Sequence, residues 1–305
     1  MRLTSDLVAQ VMLNATDTEP GPMPAGRRPA TEADLQGAVR NILASAPPRD
    51  RMWIFAYGSL IWNPCFDHVE RRTGIVRGWH RSFCLGWDRW FRGSEKWPGL
   101  MLALDQGGQC NGIVFRLPAD GIEENLLELA RREIRLIPHS FPARWINVST
   151  AEGSVRALTF AIDRTAPGYV GRLSPAEVAD ALGIAVGQFG SMAEYLRNTV
   201  VQLEELGLRE TTISGVSKQW WPSASRGLLS DKLPLTGVPP EDRLTSLTSA
   251  RTGRAPAARC PLQRTSCVDP EAKWPLCALE WRENGNSRRS AEDLRSARLG
   301  DSKAS

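Results

Sequence analysis

Short apolar runs that are typical of β-strands dominate residues 52–163. A buried run, MWIFAY, begins at Met52, and the segment RTGIVRGWHRSFCLGW continues the pattern. The segment GLMLALDQGGQCNGIVFRLP predicts a hairpin that turns at residues 105–108. The segment RWINVSTAEGSVRALTFAID predicts a second hairpin that turns at Glu152 and Gly153. The middle of the chain is therefore predicted to be rich in β-structure.

Helical periodicity appears before, between and after these strands. A short helix is predicted from Leu3 to Leu13, a second within TEADLQGAVRNILASAP, and a third from about Gly121 to Leu136. Two later helices are predicted to begin after the capping residues Ser174 and Ser191. Because helices and strands do not alternate strictly, the pattern predicts an α+β fold rather than a doubly wound sheet.

Three regions of the chain differ in composition. Residues 1–50 combine the first two predicted helices with the segment EPGPMPAGRRPA, which predicts a helical extension and a linker. Residues 51–210 carry the regular pattern and form the predicted main domain. Residues 211–305 are rich in Ser, Pro, Arg and Thr and lack a sustained period, which predicts a largely disordered C-terminal tail.

Charge and hydropathy exclude several classes of protein. A net charge of +4 over 305 residues is small for a nucleic-acid-binding protein, so no nucleic-acid partner is predicted. No apolar run reaches the ~18 residues needed to cross a bilayer. The first residues also lack the cleavage site of a secretory signal. We therefore predict no membrane partner and a cytoplasmic location.

The cysteines and histidines do not predict a metal site. The six cysteines include no C-x-x-C pair, and the chain has only three histidines. Cys65, Asp67 and His68 lie close together, but ligands so near in sequence seldom point to one centre. We therefore predict reduced, mostly structural thiols and no metal.

One carboxylate falls on the apolar face of a predicted helix. At about 100° per residue, the stripe of GIEENLLELARREIRLI contains Leu129 and Ile137, and Glu133 lies midway between them. Such a group can sit at the water-exposed edge of a core, pair with a buried arginine, or serve chemistry as a proton shuttle of raised pKa. Arg92 and Arg144 are candidate partners for the ion pair.

A second unusual segment is FAYGSLIWNP, at residues 55–64. A tight Tyr-Gly-Ser corner stands between two apolar stretches, where a strand end would usually be followed by polar turn residues. Ser59 does not lie in a G-x-S-x-G elbow, because Tyr57 and Ile61 occupy the two glycine positions. The segment therefore does not predict that Ser59 is the nucleophile of a serine hydrolase.

Taken together, these segments resemble the ChaC-like gamma-glutamylcyclotransferase family, in its glutathione-specific branch. The resemblance extends from about Met1 to Glu210. It is carried by WIFAYGSLIWNP, GWHRSFCLGW, RGSEKWPGLMLALDQGGQCNGIVFRLP, RREI, ARWINV, LTFAID and GSMAEYLRNTVVQLEELG, in that order. It implies a gamma-glutamylcyclotransferase-like mixed β-barrel with surrounding helices, and a reaction without a cofactor.

The resemblance also implies a substrate and a set of site residues. The family converts glutathione to 5-oxoproline and cysteinylglycine, and Glu133 matches its catalytic acid/base. The substrate-binding segment then comprises Ile54, Phe55, Ala56, Tyr57, Gly58, Ser59 and Leu60. Two alternatives stay open: the same reaction on other γ-glutamyl amines, and a non-catalytic γ-glutamyl-binding regulatory protein.

The sequence departs from the family pattern directly after the glutamate. Family members usually follow it with Met and place a Tyr shortly afterwards. This chain has Ile134 next, and then His139 and Phe141 in RLIPHSFPARW. If the family's tyrosine lines the pocket, reduced activity is expected here.

Overall fold

The computed structural model describes residue 8 and residues 20–208 of the chain. The strands are β1 (Arg28–Pro29), β2 (Trp53–Ala56), β3 (Glu70–Asp88), β4 (Gly99–Arg116), β5 (Leu136–Ile137), β6 (Ala143–Thr150), β7 (Gly153–Phe160), β8 (Val186–Gly187) and β9 (Gly190–Ser191). The helices are α1 (Glu32–Ala44), α2 (Ile122–Glu133), α3 (Pro175–Ile184) and α4 (Met192–Glu205). Short 3₁₀ turns occupy Arg49–Arg51 and Ser59–Ile61.

Five strands close into a barrel in the order β2-β4-β3-β6-β7. Strand β2 completes the closure, because it is antiparallel to β4 on one side and parallel to β7 on the other. The helices are not part of the barrel, so the fold is a mixed barrel with surrounding helices. The predicted α+β class is confirmed.

The hairpin predicted around residues 105–108 is wrong. Strand β4 runs through that segment as one strand of 18 residues, and it pairs along its length with β3, which has 19. Gly107 and Gly108 adopt positive φ angles of 100° and 69°, and Gly78 on β3 does so at 81°. The register shifts there, between Arg77 and Trp79, so these glycines bend the two-stranded ladder instead of reversing the chain.

The second predicted hairpin is confirmed with its turn one residue earlier. Strands β6 and β7 pair from Ala143↔Phe160 to Thr150↔Gly153, so Ala151 and Glu152 form the turn. Gly153 has a φ of 119°, a conformation that side chains disfavour and glycine accepts.

The helix caps confirm most of the predicted helix starts. Ser174 caps α3 in a capping box with Glu177, and the Ser191 side chain accepts from the Glu194 amide at the start of α4. Thr31 forms the corresponding box at the start of α1. Of the short helix predicted from Leu3 to Leu13, only Val8 is described, and it is helical. The predicted tail at 211–305 lies outside the described residues.

Helix α2 ends earlier than predicted. Its last residue is Glu133, and Leu136 and Ile137 form β5 instead of a further helical turn. Pro138 disfavours the helical conformation for the residue before it. The extended segment pairs with β1, through Arg28↔Ile137 and Pro29↔Leu136. Glu133 therefore occupies the C-terminal end of a helix and not its middle.

The main hydrophobic core lies between the barrel and the helices. Strand β2 contributes Ile54 and Ala56 to this core, while Phe55 on its opposite face packs in a second cluster with residues of β3, β4, β6 and β7. Helices α1 and α2 bury residues in the main core, namely Leu35, Val39, Ile42, Ile122, Leu126, Leu129 and Ala130. The strand that leads into the Tyr-Gly-Ser corner is thus packed on both faces.

We expect Gly112→Ala to destabilise the barrel. A Cβ at Gly112 would lie 2.4 Å from the Ala56 carbonyl oxygen and 2.7 Å from the Phe55 ring, so β2 and β4 would have to separate. Overpacking of this kind costs about 1–3 kcal/mol. Chemical denaturation measures the loss.

Gly37→Ala is the matched control for this substitution. Gly37 lies inside α1, where the nearest atom to an added Cβ is on Arg40 at 3.8 Å, so the same change meets open space. It should stabilise the protein by about 0.5–1 kcal/mol through helix propensity. Equal unfolding midpoints for parent and Gly112→Ala would contradict the close approach of β2 and β4.

Candidate active site

A tight loop follows β2 and holds the Tyr-Gly-Ser corner. Gly58 precedes the 3₁₀ turn Ser59–Ile61, and its carbonyl accepts from the Ile61 amide at 2.9 Å. A Cβ on Gly58 would lie 3.1 Å from the Tyr195 hydroxyl oxygen, which is closer than nearly all real Cβ contacts. Glycine at this position therefore lets the loop approach α4.

The first amides of this loop are available as donors. Within residues 20–208, the amides of Gly58, Ser59 and Leu60 donate to no backbone acceptor, while the amides of Ile61 and Asn63 close the turn. Consecutive backbone N–H groups of this kind form a concave donor site for anionic or partly anionic oxygen. The loop can thus stabilise negative charge without a cation.

A buried arginine orients the first of these amides. Arg81, only 1% exposed, donates Nε to the Tyr57 carbonyl and Nη2 to the Asn111 carbonyl at 2.6 Å. The Tyr57–Gly58 peptide is trans, so its N–H points away from its carbonyl. Because Arg81 holds the carbonyl on the barrel side, the Gly58 N–H faces the opposite side.

Glu133 lies close to this loop at the end of α2. Its side chain keeps 17% of its surface exposed, yet burial raises the pKa of its carboxyl group above the usual range. Arg132 and, to a smaller extent, Arg135 oppose this rise. The negative end of the α2 dipole acts in the same direction as burial. The net effect is a Glu133 pKa above the usual range of a glutamate.

Two phenols and a thiol share the surroundings of Glu133. Burial raises the pKa of Tyr57 well above its normal value and that of Tyr195 to about 12, and the Glu133 charge adds to both shifts. Burial also raises the pKa of Cys65 to about 11, and here too Glu133 contributes. Both phenols therefore stay protonated at neutral pH.

Arg132 connects Glu133 to the loop. Its Nη2 donates to Ser59 Oγ at 2.8 Å, and its Nη1 donates to the Asn63 carbonyl. Its Nε lies 3.4 Å from Glu133 Oε1. One guanidinium therefore contacts a hydroxyl and a carbonyl of the loop together with the candidate catalytic carboxylate.

The structure divides the predicted substrate-binding residues into two groups. Ile54, Phe55 and Ala56 are at most 1% exposed, and their side chains belong to the packed clusters on the two faces of β2. Tyr57, Gly58, Ser59 and Leu60 form the loop near Glu133. The first group can support the loop but offers no side-chain surface to a ligand.

The arginines considered as partners of Glu133 contact other groups. Arg92 pairs with Glu194 at 3.5 Å and lies over the Tyr195 ring, while Arg144 lies over the Trp79 ring. The ion pair that the structure gives Glu133 is with Arg132. The two proposed ion-pair partners were therefore wrong.

Two of the residues that depart from the family pattern, Ile134 and Phe141, pack in or against the main core. Ile134 is buried in the main core, and the Phe141 ring packs against Phe160 at 5.9 Å between centroids. Burial lowers the pKa of His139, and the charge of Arg27 adds to the shift. Phe160 belongs to β7, and Arg27 immediately precedes β1.

Sequence reasoning missed several residues around the site. Arg81, Arg132 and Tyr195 were not singled out, and Cys65 was assigned to ordinary packing. Arg132 could have been predicted as a site residue, because it is the sequence neighbour of Glu133 at the end of the same helix. Tyr195 reaches the site only through the tertiary packing of α4, which the sequence pattern does not specify.

Residues 8 and 20–208 contain neither a candidate metal site nor a candidate membrane span. No group of three or more His, Cys, Asp or Glu side chains converges there as metal ligands would. No helix in the same residues has the length and hydropathy of a membrane span.

Comparisons with known proteins identify the family. The ChaC-like protein family matches residues 52–217. The glutathione-specific gamma-glutamylcyclotransferase of Escherichia coli is 36% identical over 169 residues, which cover 55% of this chain and 72% of that protein. The human glutathione-specific gamma-glutamylcyclotransferase 1 is 28% identical over 186 residues, covering 60% of this chain and 77% of that protein.

A solved structure shows the same fold. The yeast gamma-glutamyl cyclotransferase specific to glutathione superposes with a TM-score of 0.50 at 16% identity, covering 57% of this chain and 99% of that one. The expected gamma-glutamylcyclotransferase-like barrel is confirmed. From the family match and the bacterial relative, the chain belongs to the ChaC-like family.

Proposed function

We propose that this protein is a glutathione-specific gamma-glutamylcyclotransferase that cleaves glutathione to 5-oxoproline and cysteinylglycine. The observation that carries the proposal is the desolvated Glu133 carboxyl group beside the free amides of residues 58–60. Membership of the ChaC-like family and the names of the bacterial and human relatives support the choice of substrate.

The proposed reaction is an intramolecular cyclisation. The α-amine of the γ-glutamyl residue attacks the γ-carbonyl carbon, and a new C–N bond closes a five-membered ring. The bond from that carbon to the cysteine nitrogen then breaks. Because nucleophile and electrophile belong to one molecule, the enzyme gains mainly by folding the substrate into reacting geometry. The reaction therefore requires no serine or cysteine nucleophile.

Glu133 is the proposed acid/base for both proton transfers. As a carboxylate it takes a proton from the α-ammonium group, and as a carboxylic acid it donates a proton to the departing amine. A raised pKa suits both steps, because acid–base catalysis is most efficient when the pKa lies close to the operating pH, and burial moves the Glu133 pKa in that direction.

The loop is the proposed site for the γ-glutamyl group. The amides of Gly58, Ser59 and Leu60 supply donors for the oxyanion that develops on the γ-carbonyl. Tyr57 lines the site from the same loop as a protonated phenol. Ile54, Phe55 and Ala56 are proposed to act indirectly, by holding the loop on a strand that is buried on both faces.

The remaining parts of the proposal concern the whole chain. Residues 51–210 are proposed as the catalytic domain, with residues 1–50 as an extension and 211–305 as a tail. The reaction as proposed uses no cofactor and no metal, and the partner is the small-molecule substrate alone. The cytoplasmic location and the lack of nucleic-acid and membrane partners stay predictions.

Purified protein incubated with glutathione should release 5-oxoproline and cysteinylglycine in equal amounts. Glu133→Gln should lower kcat by at least about 100-fold, because the acid/base is removed while the shape is kept. Glu128→Gln is the matched control, since Glu128 is an exposed residue of the same helix that pairs with Arg131. Chromatographic measurement of both products over time gives the rates.

The outcome separates the three functional alternatives. Faster turnover of glutathione than of γ-glutamylalanine supports the glutathione-specific enzyme, and the reverse order supports a cyclotransferase for other γ-glutamyl amines. Calorimetric binding of glutathione without product would support the non-catalytic alternative. A Glu133→Gln variant as fast as the parent would contradict the assigned acid/base.

Glu133→Gln should also change how stability depends on pH. A carboxyl group whose pKa is raised by folding stabilises the folded protein fully only below its unfolded pKa of about 4.3. This stabilisation is lost as the pH rises through the folded pKa. The unfolding temperature of Glu133→Gln relative to the parent should therefore increase between pH 4 and pH 8.

Thermal unfolding at several pH values measures this difference. Glu128→Gln again serves as the control, and its difference from the parent should show no such rise. If the difference in unfolding temperature between Glu133→Gln and the parent stays constant or shrinks as the pH rises, the Glu133 carboxylate is not desolvated in the folded protein.

A further inference from the structure

Arg132 occupies an unusual position between two parts of the candidate site. Its guanidinium contacts Ser59 Oγ at 2.8 Å and the Asn63 carbonyl, which stand at the two ends of the turn after Gly58. The Asn63 amide donates to the Ser59 carbonyl at 2.9 Å, so the turn is already closed by its own backbone. The Arg132 contacts are therefore not needed to close the turn. They fix the position of the turn relative to α2.

The same guanidinium also contacts the proposed acid/base. Its Nε lies 3.4 Å from Glu133 Oε1, and only 19% of the Arg132 side chain is exposed. A planar guanidinium offers several N–H donors in a rigid fork, so one side chain can fix several acceptors relative to each other. The loop and the carboxylate are thus tied to one rigid group.

We propose that Arg132 is a positioning residue that sets the distance between the Glu133 carboxylate and the amide donors of the Gly58–Leu60 loop. The proposal rests on the proposed function, in which Glu133 transfers protons and the loop holds the γ-glutamyl group. Arg132 acts through these groups and is assigned no bond to the substrate.

The positive charge of Arg132 affects the Glu133 pKa, and this effect is separate from the hydrogen bonds that its planar guanidinium group donates. Arg132 and Arg135 lower the pKa of the Glu133 carboxyl group. The Glu133 charge in turn raises the pKa values of three groups that face it, namely Tyr57, Tyr195 and Cys65. Of the two arginines, Arg132 has the larger effect. Loss of its charge should raise the Glu133 pKa further, so the base form would require a higher pH.

Two substitutions separate the fork from the charge. Arg132→Gln removes both, so kcat should fall by about 100-fold, as expected for a displacement of about 1 Å in the reacting groups. The acid limb of its kcat/KM profile should also move to higher pH. Arg132→Lys keeps the charge without the fork, so kcat should fall roughly 10-fold while the acid limb stays where it is in the parent.

Arg131→Gln is the matched control. Arg131 precedes Arg132 in the same helix, but it pairs with Glu32 and Glu128 on the outer side. Exposed pairs of this kind contribute about 0–1 kcal/mol, so this variant should keep the parental kcat and pH profile. The unfolding temperature of each variant is measured alongside, and rates are taken per folded molecule.

The experiment measures 5-oxoproline release from glutathione between pH 5 and pH 9. Parental kcat and an unmoved acid limb in folded Arg132→Gln would overturn the positioning role. So would an Arg132→Lys variant with the full parental kcat, because the fork would then be dispensable. If the parent itself releases no 5-oxoproline, the proposed function fails first, and that result is distinct from a failure of Arg132.

Discussion

The chemistry proposed for this protein depends on the desolvation of one carboxyl group. Glu133 ends helix α2, where burial and the negative end of the helix dipole both disfavour its charge. Arg132 and Arg135 oppose that penalty without removing it. The balance leaves a carboxyl group that keeps its proton to a higher pH than an exposed glutamate would.

The barrel provides the rigid frame that this balance requires. Strand β2 is paired on both edges and packed on both faces, so the loop that follows it begins from a fixed point. Arg81 holds the Tyr57 carbonyl from inside the protein, and Arg132 holds the far end of the loop from α2. Backbone amides need such support, because their direction depends entirely on the path of the chain.

The sequence predicted much of this arrangement where local rules apply. The capped helix starts at Ser174 and Ser191 follow from side chains that bond to nearby amides, and Glu133 was recognisable as a charge on an apolar stripe. The turn assigned to residues 105–108 failed because glycines of positive φ suit a bend in a ladder as well as a hairpin, and only the pairing with β3 decides between them. The end of α2 was misplaced for a similar reason, since β5 is stabilised by β1, about a hundred residues earlier.

That pairing of β1 with β5 bears on where the functional unit begins. The family match starts at residue 52, yet β1 hydrogen-bonds to the chain just after Glu133, and the Arg27 guanidinium contacts Ser140. Helix α1 adds Leu35, Val39 and Ile42 to the main core. A protein shortened to the matched residues would expose this apolar surface to water and leave the segment after Glu133 without its partner strand. The packed unit therefore begins before residue 52, where the family match begins.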